Sequence, residues 1–341
     1  VRLISLGHGA GGQLTADLIR EVFVSRLGNR YLDQLSDSAV VPAPGERLAL
    51  TTDGFVVTPL FFPGGDIGKL AVCGTVNDLA VAGAEPLYLT ASFIIEEGLD
   101  VDELTRVVAS MAHAAAETGV AVVAGDTKVV ERGGCDRLFI ATAGVGRLLP
   151  GADLGPDRVR PGDRLVLSGS VGRHGVAVWS QRPGVTFRTP VTSDCAPVAP
   201  LTSALVAALG GAVHWMRDPT RGGLATVAAE LGEQAATAVL LDEEAVPVDA
   251  PVRAACEMLG LDPLYLANEG RFVGVVAEEA AAQAVEILRR AGQDGAAVVG
   301  RVSDPAEADW AVLGAGAYLR TSLGGIKPLL RLAGEQLPRI C

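Results

Sequence analysis

A run dense in proline and glycine, from Leu149-Pro150-Gly151 to Arg160-Pro161-Gly162, interrupts the 341-residue chain near its middle. Proline fixes φ and lacks a backbone N–H, and glycine favours turns, so no helix or strand continues through such a stretch. Each half must then close an apolar core of its own. The expected division is an N-terminal domain over 1–148, a linker over 149–162 and a C-terminal domain over 163–333. Residues 334–341 lack a helical period and contain Pro338, so they read as a flexible tail.

Both halves mix β-like and helical segments. Arg47–Thr52 reads as a strand ending at Asp53-Gly54, and Val120–Ala124 as one ending before Gly125-Asp126. Leu87–Ile95 and Leu138–Arg147 are further strands. Ile67–Val81 reads as a helix closed by Gly83, and Asp102–Thr118 as a helix with acidic residues in its first turn and Gly119 behind its last. Beyond the linker, strands are expected at Arg164–Ser168, Phe272–Ala277 and Ala297–Val302. Helices are expected at Leu201–Leu209, Arg221–Gln234, Pro251–Leu259 and Glu278–Ala291. The fold class is α+β in two lobes.

A formal charge of −12 leaves no Lys/Arg surplus to neutralise a nucleic-acid backbone. The longest apolar stretch, from Leu201 to Met216, is broken by Ser203, Gly210, Gly211 and His214, against a membrane span. The five cysteines are dispersed and form no CxxC pair. They read as reduced thiols of a cytoplasmic protein. One of them, Cys341, is the last residue. An incidental cysteine on a frayed end is the plain reading, unless the rest of the chain supplies chemistry for it.

Several motifs do. His8-Gly9-Ala10-Gly11-Gly12 precedes a helical segment over Leu14–Val24, a pattern that converges backbone N–H groups on an anion. Asp37, Asp53, Asp78 and Asp126 recur beside Gly, Ser, Thr or Asn, and Asn77-Asp78 lies inside an otherwise apolar helix, where an unpaired carboxylate is costly. Magnesium shared between carboxylates and nucleotide phosphates accounts for such a set better than four unrelated turn residues. Gly125-Asp126-Thr127-Lys128 adds a cation close to a candidate metal ligand. No GxxxxGK[ST] is present, which excludes a P-loop enzyme. In the second half, Asp218-Pro219-Thr220-Arg221-Gly222-Gly223-Leu224 resembles a helix-start loop suited to an anion, and Asn268-Glu269-Gly270-Arg271 sets a carboxylate beside a permissive glycine.

HGAGG, TTDGFVV, CGTVNDLAVAGAEPLYLT, VAGDTKVV, DPTRGGL, NEGR and the closing PRIC run in order from Gly7 to Cys341. Together they resemble the HypE family of carbamoyl dehydratases, within the PurM/AIR-synthase-like ATP-binding superfamily. The resemblance implies a PurM-like fold in which the N-terminal lobes of a homodimer join their sheets into a barrel-like interface, beside a layered α/β C-terminal lobe. It implies ATP and Mg²⁺ as cofactors. It also implies a HypF-like carbamoyltransferase that loads Cys341, and a HypC–HypD complex that receives the cyano group for a NiFe-hydrogenase.

On this resemblance Asp37, Asp53, Asp78 and Asp126 hold metal and phosphate, with Asn77, Gly125 and Thr127 completing the nucleotide site. Lys128 and Glu269 attend the carbamoyl group on Cys341, and the order of proton acceptance between them stays open. Two rivals remain at this point. One is a superfamily synthetase acting on a free small molecule, such as a selenophosphate or aminoimidazole ribonucleotide synthetase. The other is a carrier that only displays a carbamoylated tail.

Overall fold

The computed structural model describes residues 12–18, 20, 39–43, 46–185, 188–306, 314–332, 334 and 336–341. After a short helix α1 (Gln13–Leu18), the N-terminal lobe forms a five-stranded sheet. Its strands are β1 (Ala39–Ala43), β2 (Glu46–Phe55), β5 (Ala84–Glu96), β6 (Ala121–Val130) and β7 (Leu138–Leu148), ordered β1-β2-β7-β5-β6. All neighbours are antiparallel except β5 and β6. A small hairpin, β3 (Phe61–Phe62) with β4 (Gly65–Asp66), leads into helix α2 (Ile67–Val81). Helix α3 (Val101–Thr118) packs on α2.

Asp66 starts α2 by accepting from the Gly68 and Lys69 N–H groups at 2.7 and 3.1 Å. The helix is apolar on every side and is buried on every side, since it lies between the sheet and the second lobe. Of its 15 residues only Lys69 and Asp78 escape full burial. The single carboxylate of α2 therefore faces the gap between the lobes and not a core.

Two strands run further than the sequence pattern suggests. β2 continues through Asp53 and Gly54 because β7 pairs Asp53 with Thr142 and Phe55 with Ile140. β6 continues through Gly125-Asp126-Thr127-Lys128 because β5 pairs Ala91 with Gly125 and Ile94 with Lys128. Turn-prone residues stay extended when a neighbouring strand satisfies their backbone.

The C-terminal lobe is a seven-stranded sheet ordered β14-β13-β10-β12-β8-β11-β9. Its strands are β8 (Arg164–Leu167), β9 (Val213–Arg217), β10 (Ala238–Asp242), β11 (Val273–Val276), β12 (Ala297–Ser303), β13 (Gly316–Arg320) and β14 (Ile326–Leu329). Only β10 and β13 are parallel. Helices α4 (Arg173–Trp179), α5 (Ala199–Leu209), α6 (Gly223–Gln234), α7 (Ala250–Leu259) and α8 (Ala281–Arg290) surround it. Leu165 and Leu167 pack on the α6 side with Leu224 and Leu231, while Val166 packs on the opposite side with Leu205 and Leu288. Strands covered on both faces need apolar residues at successive positions, which explains the unbroken Leu165-Val166-Leu167 run.

The lobes are tied by Asn77. Its amide donates to the Ala196 and Glu269 carbonyls at 3.0 and 3.2 Å, and its oxygen accepts from the Val198 N–H at 2.8 Å. The closing residues lie in the cleft between the lobes. Ile340 is only 5% exposed and packs with Phe55, Val57, Phe62 and Ala267. An apolar side chain placed next to last gives the tail something to bury.

Candidate active site

The N-terminal wall of the cleft comes from β2 and α2. Thr51 and Asp53, two apart on a strand, share one face. The Thr51 hydroxyl donates to Asp78 Oδ2 at 2.7 Å, and Asp53 Oδ1 accepts from the Gly54 N–H at 2.7 Å. Gly74, one helical turn before Asp78, permits this approach: a Cβ there would stand 2.9 Å from the Phe55 ring and 3.6 Å from Asp53 Oδ2. Burial raises the Asp53 carboxyl pKa, opposed by the Arg221 guanidinium and the Gly54 N–H.

The C-terminal wall is the loop between β9 and α6, which carries Asp218 and Arg221, together with the Asn268-Glu269-Gly270 turn. Gly223, at φ +62°, lies so near the Leu264 carbonyl that a Cβ would come within 2.4 Å of its oxygen. Asn268 locks the two segments together. Its amide donates to the Pro219 and Leu266 carbonyls, each at 2.9 Å, and its oxygen accepts from the Gly172 N–H at 2.7 Å. Arg221 stands 4.0 Å from Asp53. Its pKa is raised, first by Cys341 and then by Asp53, Glu269 and Asp78, against the opposing effect of burial.

Glu269 is 3% exposed, and its Oε1 has no hydrogen-bond partner. Burial pushes its carboxyl well above the usual range, and the nearby Asp218, Asp53 and Asp194 carboxylates push it further, with Arg221 acting against them.

The tail runs beside the segment that follows β2. The Val56 N–H donates to the Cys341 carbonyl oxygen and the Thr58 N–H to that of Arg339, both at 3.3 Å. Arg339 donates to the Val56 carbonyl at 3.1 Å and pairs with Asp136. Beside Cys341 lies a cavity of about 140 Å³, lined among others by Gly54, Val56, Arg221, Gly222 and Ile340.

Four residues singled out in the sequence, Asp53, Asp78, Glu269 and Cys341, thus gather around Arg221. Asn77 is next to Asp78, but its amide is fully engaged with C-terminal-lobe backbone. Gly125, Asp126, Thr127 and Lys128 lie elsewhere, on the edge strand β6. Asp53 pairs with Thr142, Thr142 with Ala91 and Ala91 with Gly125. Three interstrand steps of ~4.8 Å separate the two positions by ~14 Å, too far for one ion to bridge within a chain. Lys128 and Asp126 are exposed and paired with each other at 3.0 Å. Asp37 and the His8–Gly11 segment lie outside the described residues. Among the described residues no three His, Cys, Asp or Glu side chains form a metal-binding group. Asp53 and Asp78 offer carboxylate oxygens alone, the donor type of a magnesium ion held mainly by phosphate and water. The sequence reading missed His174 and Arg182, which hold the tail; neither stands in a motif.

Residues 35–148 match the family AIR synthase related protein, N-terminal domain, and residues 160–310 the corresponding C-terminal domain. Over 340 residues the chain is 49% identical to carbamoyl dehydratase HypE of Rhizobium leguminosarum bv. viciae, spanning 99% of this chain and 95% of that protein. A crystal structure of hydrogenase maturation protein HypE in complex with ATP superimposes with a TM-score of 0.82 at 47% identity, over 99% of this chain and 100% of the other. A HypE–HypF complex structure gives 0.85 at 45% identity, over 92% and 99%. With both lobes matched in order and nearly half of all residues shared from end to end, the chain belongs to the HypE family of carbamoyl dehydratases within the AIR synthase related proteins.

Proposed function

We propose that this protein uses ATP to dehydrate a carbamoyl group carried on its own Cys341, yielding a thiocyanate that supplies the cyanide ligand of a NiFe-hydrogenase. The observation that carries this reading is the docking of the terminal cysteine in the cleft where Asp53, Asp78, Arg221 and Glu269 converge. A HypF-like carbamoyltransferase loads the thiol, and a HypC–HypD complex takes the product. The setting is cytoplasmic; among the described residues no helix is long and apolar enough to cross a membrane.

The carbamoyl oxygen attacks the γ-phosphorus of ATP, and the bond to ADP breaks. The C–O bond then breaks as the nitrogen gives up its two protons, leaving S–C≡N, ADP and phosphate. Glu269, unpaired and raised toward working pH, accepts protons from nitrogen and passes them to phosphate and water. Arg221 balances the anionic cluster beside Cys341. Asp53 and Asp78 would hold Mg²⁺, which would neutralise phosphate charge.

Asp126 and Lys128 take part from a second protomer. Strand β6 is an open edge bearing exposed Val122, Val123 and Val129, an apolar face suited to pairing N-terminal lobes. Pairing there would bring Lys128, with Gly125, Asp126 and Thr127, toward the partner's cleft.

The test is intact mass after incubation with a HypF-like enzyme, carbamoyl phosphate and ATP. Cys341 is expected to gain a carbamoyl group and then lose one water with Mg-ATP, and Cys341→Ala to gain nothing. A tail that is carbamoylated yet never dehydrated would leave the carrier reading in its place.

A further inference from the structure

The tail is gripped by side chains from one short helix and the turn that follows it. Each of the three carbonyls before Cys341 accepts from a side chain at or beside α4. Arg182, three residues past its end, donates to the Pro338 carbonyl and, at 2.6 Å, to that of Arg339. His174, in its first turn, has Nε2 at 2.9 Å from the Ile340 carbonyl. Arg182 also donates to the Thr58 carbonyl at 3.0 Å, so it holds the segment after β2 and the tail together.

The state of His174 follows from its partners. A carbonyl only accepts, so Nε2 carries a proton. The ring is fully buried and burial lowers its pKa, which leaves Nδ1 bare. Nδ1 lies 2.8 Å from Ser193 Oγ, whose O–H must then donate, and that oxygen accepts from the Cys195 N–H at 3.0 Å. Hydrogen bonds thus run one way, from Cys195 N–H through Ser193 and His174 to Ile340. The edge of Phe62 against the imidazole, at 5.3 Å between centroids and 89°, fixes the ring plane. None of these contacts involves the sulfur, so the grip does not depend on what Cys341 carries.

We propose that His174 and Arg182 form a clamp that sets the depth of the tail and holds the Cys341 sulfur in the cleft for dehydration. They are positioning residues. The clamp rests on the reading above that Cys341 carries the group being dehydrated. Because a partner enzyme can load the thiol only after the tail leaves the cleft, the clamp serves dehydration and opposes carbamoylation.

The experiment compares full-length wild type with His174→Ala, His174→Gln and Arg182→Ala. Alkylation of Cys341 by iodoacetamide is read on the peptide 336–341 released after Glu335. Single-turnover loss of water from carbamoylated protein is measured at saturating ATP. Each Ala variant is expected to alkylate about five- to tenfold faster, the effect of losing one or two buried hydrogen bonds, and to dehydrate slower by at least that factor. Carbamoylation is expected to proceed at least as fast as in wild type. His174→Gln, which can present an N–H near the position of Nε2, is expected to recover most of both properties.

Unchanged alkylation in both Ala variants overturns the clamp. So does a His174→Gln variant that dehydrates as slowly as His174→Ala while alkylating like wild type. If wild type carries a carbamoyl group and never loses water, the dehydratase reading fails, and alkylation still decides whether the clamp holds the tail. Should His174→Ala not fold, Ser193→Ala removes the donor to Nδ1, together with the acceptor of the Cys195 N–H, and is expected to raise alkylation about twofold.

Discussion

Replacing Glu269 by Gln should raise stability while stopping chemistry. The carboxyl is 3% exposed, has an unpartnered oxygen, and its pKa is raised well above the ordinary 4.5, by burial first and by Asp218, Asp53 and Asp194 after it. A carboxyl with a raised folded pKa keeps its proton in the folded protein after the unfolded chain has released it. Between the ordinary value and the folded one, the folded state binds more protons, so stability falls as pH rises. One such group gives a slope of up to ~1.4 kcal/mol per pH unit. Glutamine has nothing to release and lacks this fall. The stability of Glu269→Gln minus that of wild type should therefore grow by up to ~1.4 kcal/mol per pH unit from about pH 4.5 upward, then level off above the folded pKa. Other titrating groups are common to both proteins and largely cancel in the difference. Urea denaturation from pH 4.5 to 8 measures it. If Glu269 is the base, single-turnover dehydration should fall by about 10²–10⁴, with carbamoylation and ATP binding retained. A stability difference that does not change with pH would refute the burial argument, and undiminished dehydration would refute the base.

Other perturbations separate the remaining parts. Asp78→Asn keeps an oxygen for the Thr51 hydroxyl but loses its charge; it should weaken ATP-dependent dehydration without preventing carbamoylation, as seen by intact mass with and without ATP. Asn77→Ala removes three hydrogen bonds between the lobes and should cost about 3 kcal/mol in urea denaturation, whereas a loss below about 0.5 kcal/mol would show that the lobes are held by apolar packing alone. Lys128→Ala and Cys341→Ala proteins, each inactive in dehydration, should regain activity when mixed. A mixed dimer pairs one chain's tail with the other chain's lysine, and no recovery would place Lys128 in its own chain's cleft.

Much of the architecture could be read along the chain. Helix α2 was legible because its residues are apolar at every period, and α3 because Asp102, Glu103 and Gly119 mark its ends. The short strands β9, β10, β13 and β14 were not singled out, since four or five residues carry no period distinguishable from a buried helix turn. The strand ends at Thr52 and Ala124 were misjudged because Asp-Gly and Gly-Asp signal turns only where no neighbouring strand competes for their backbone.

The sequence by itself determined which chemical groups exist and which motifs carry them: the aspartates, Glu269, the glycine-rich loops and the thiol of Cys341. Only the tertiary structure decided which of them meet. It put Asp53, Asp78, Glu269 and Cys341 around Arg221, and it set Asp126 and Lys128 three strands away. It also gave His174 and Arg182 a task that no motif announces. Composition and period are local properties of a chain, whereas a site is made by distances between strands, and those are fixed by register and by which faces the cores bury.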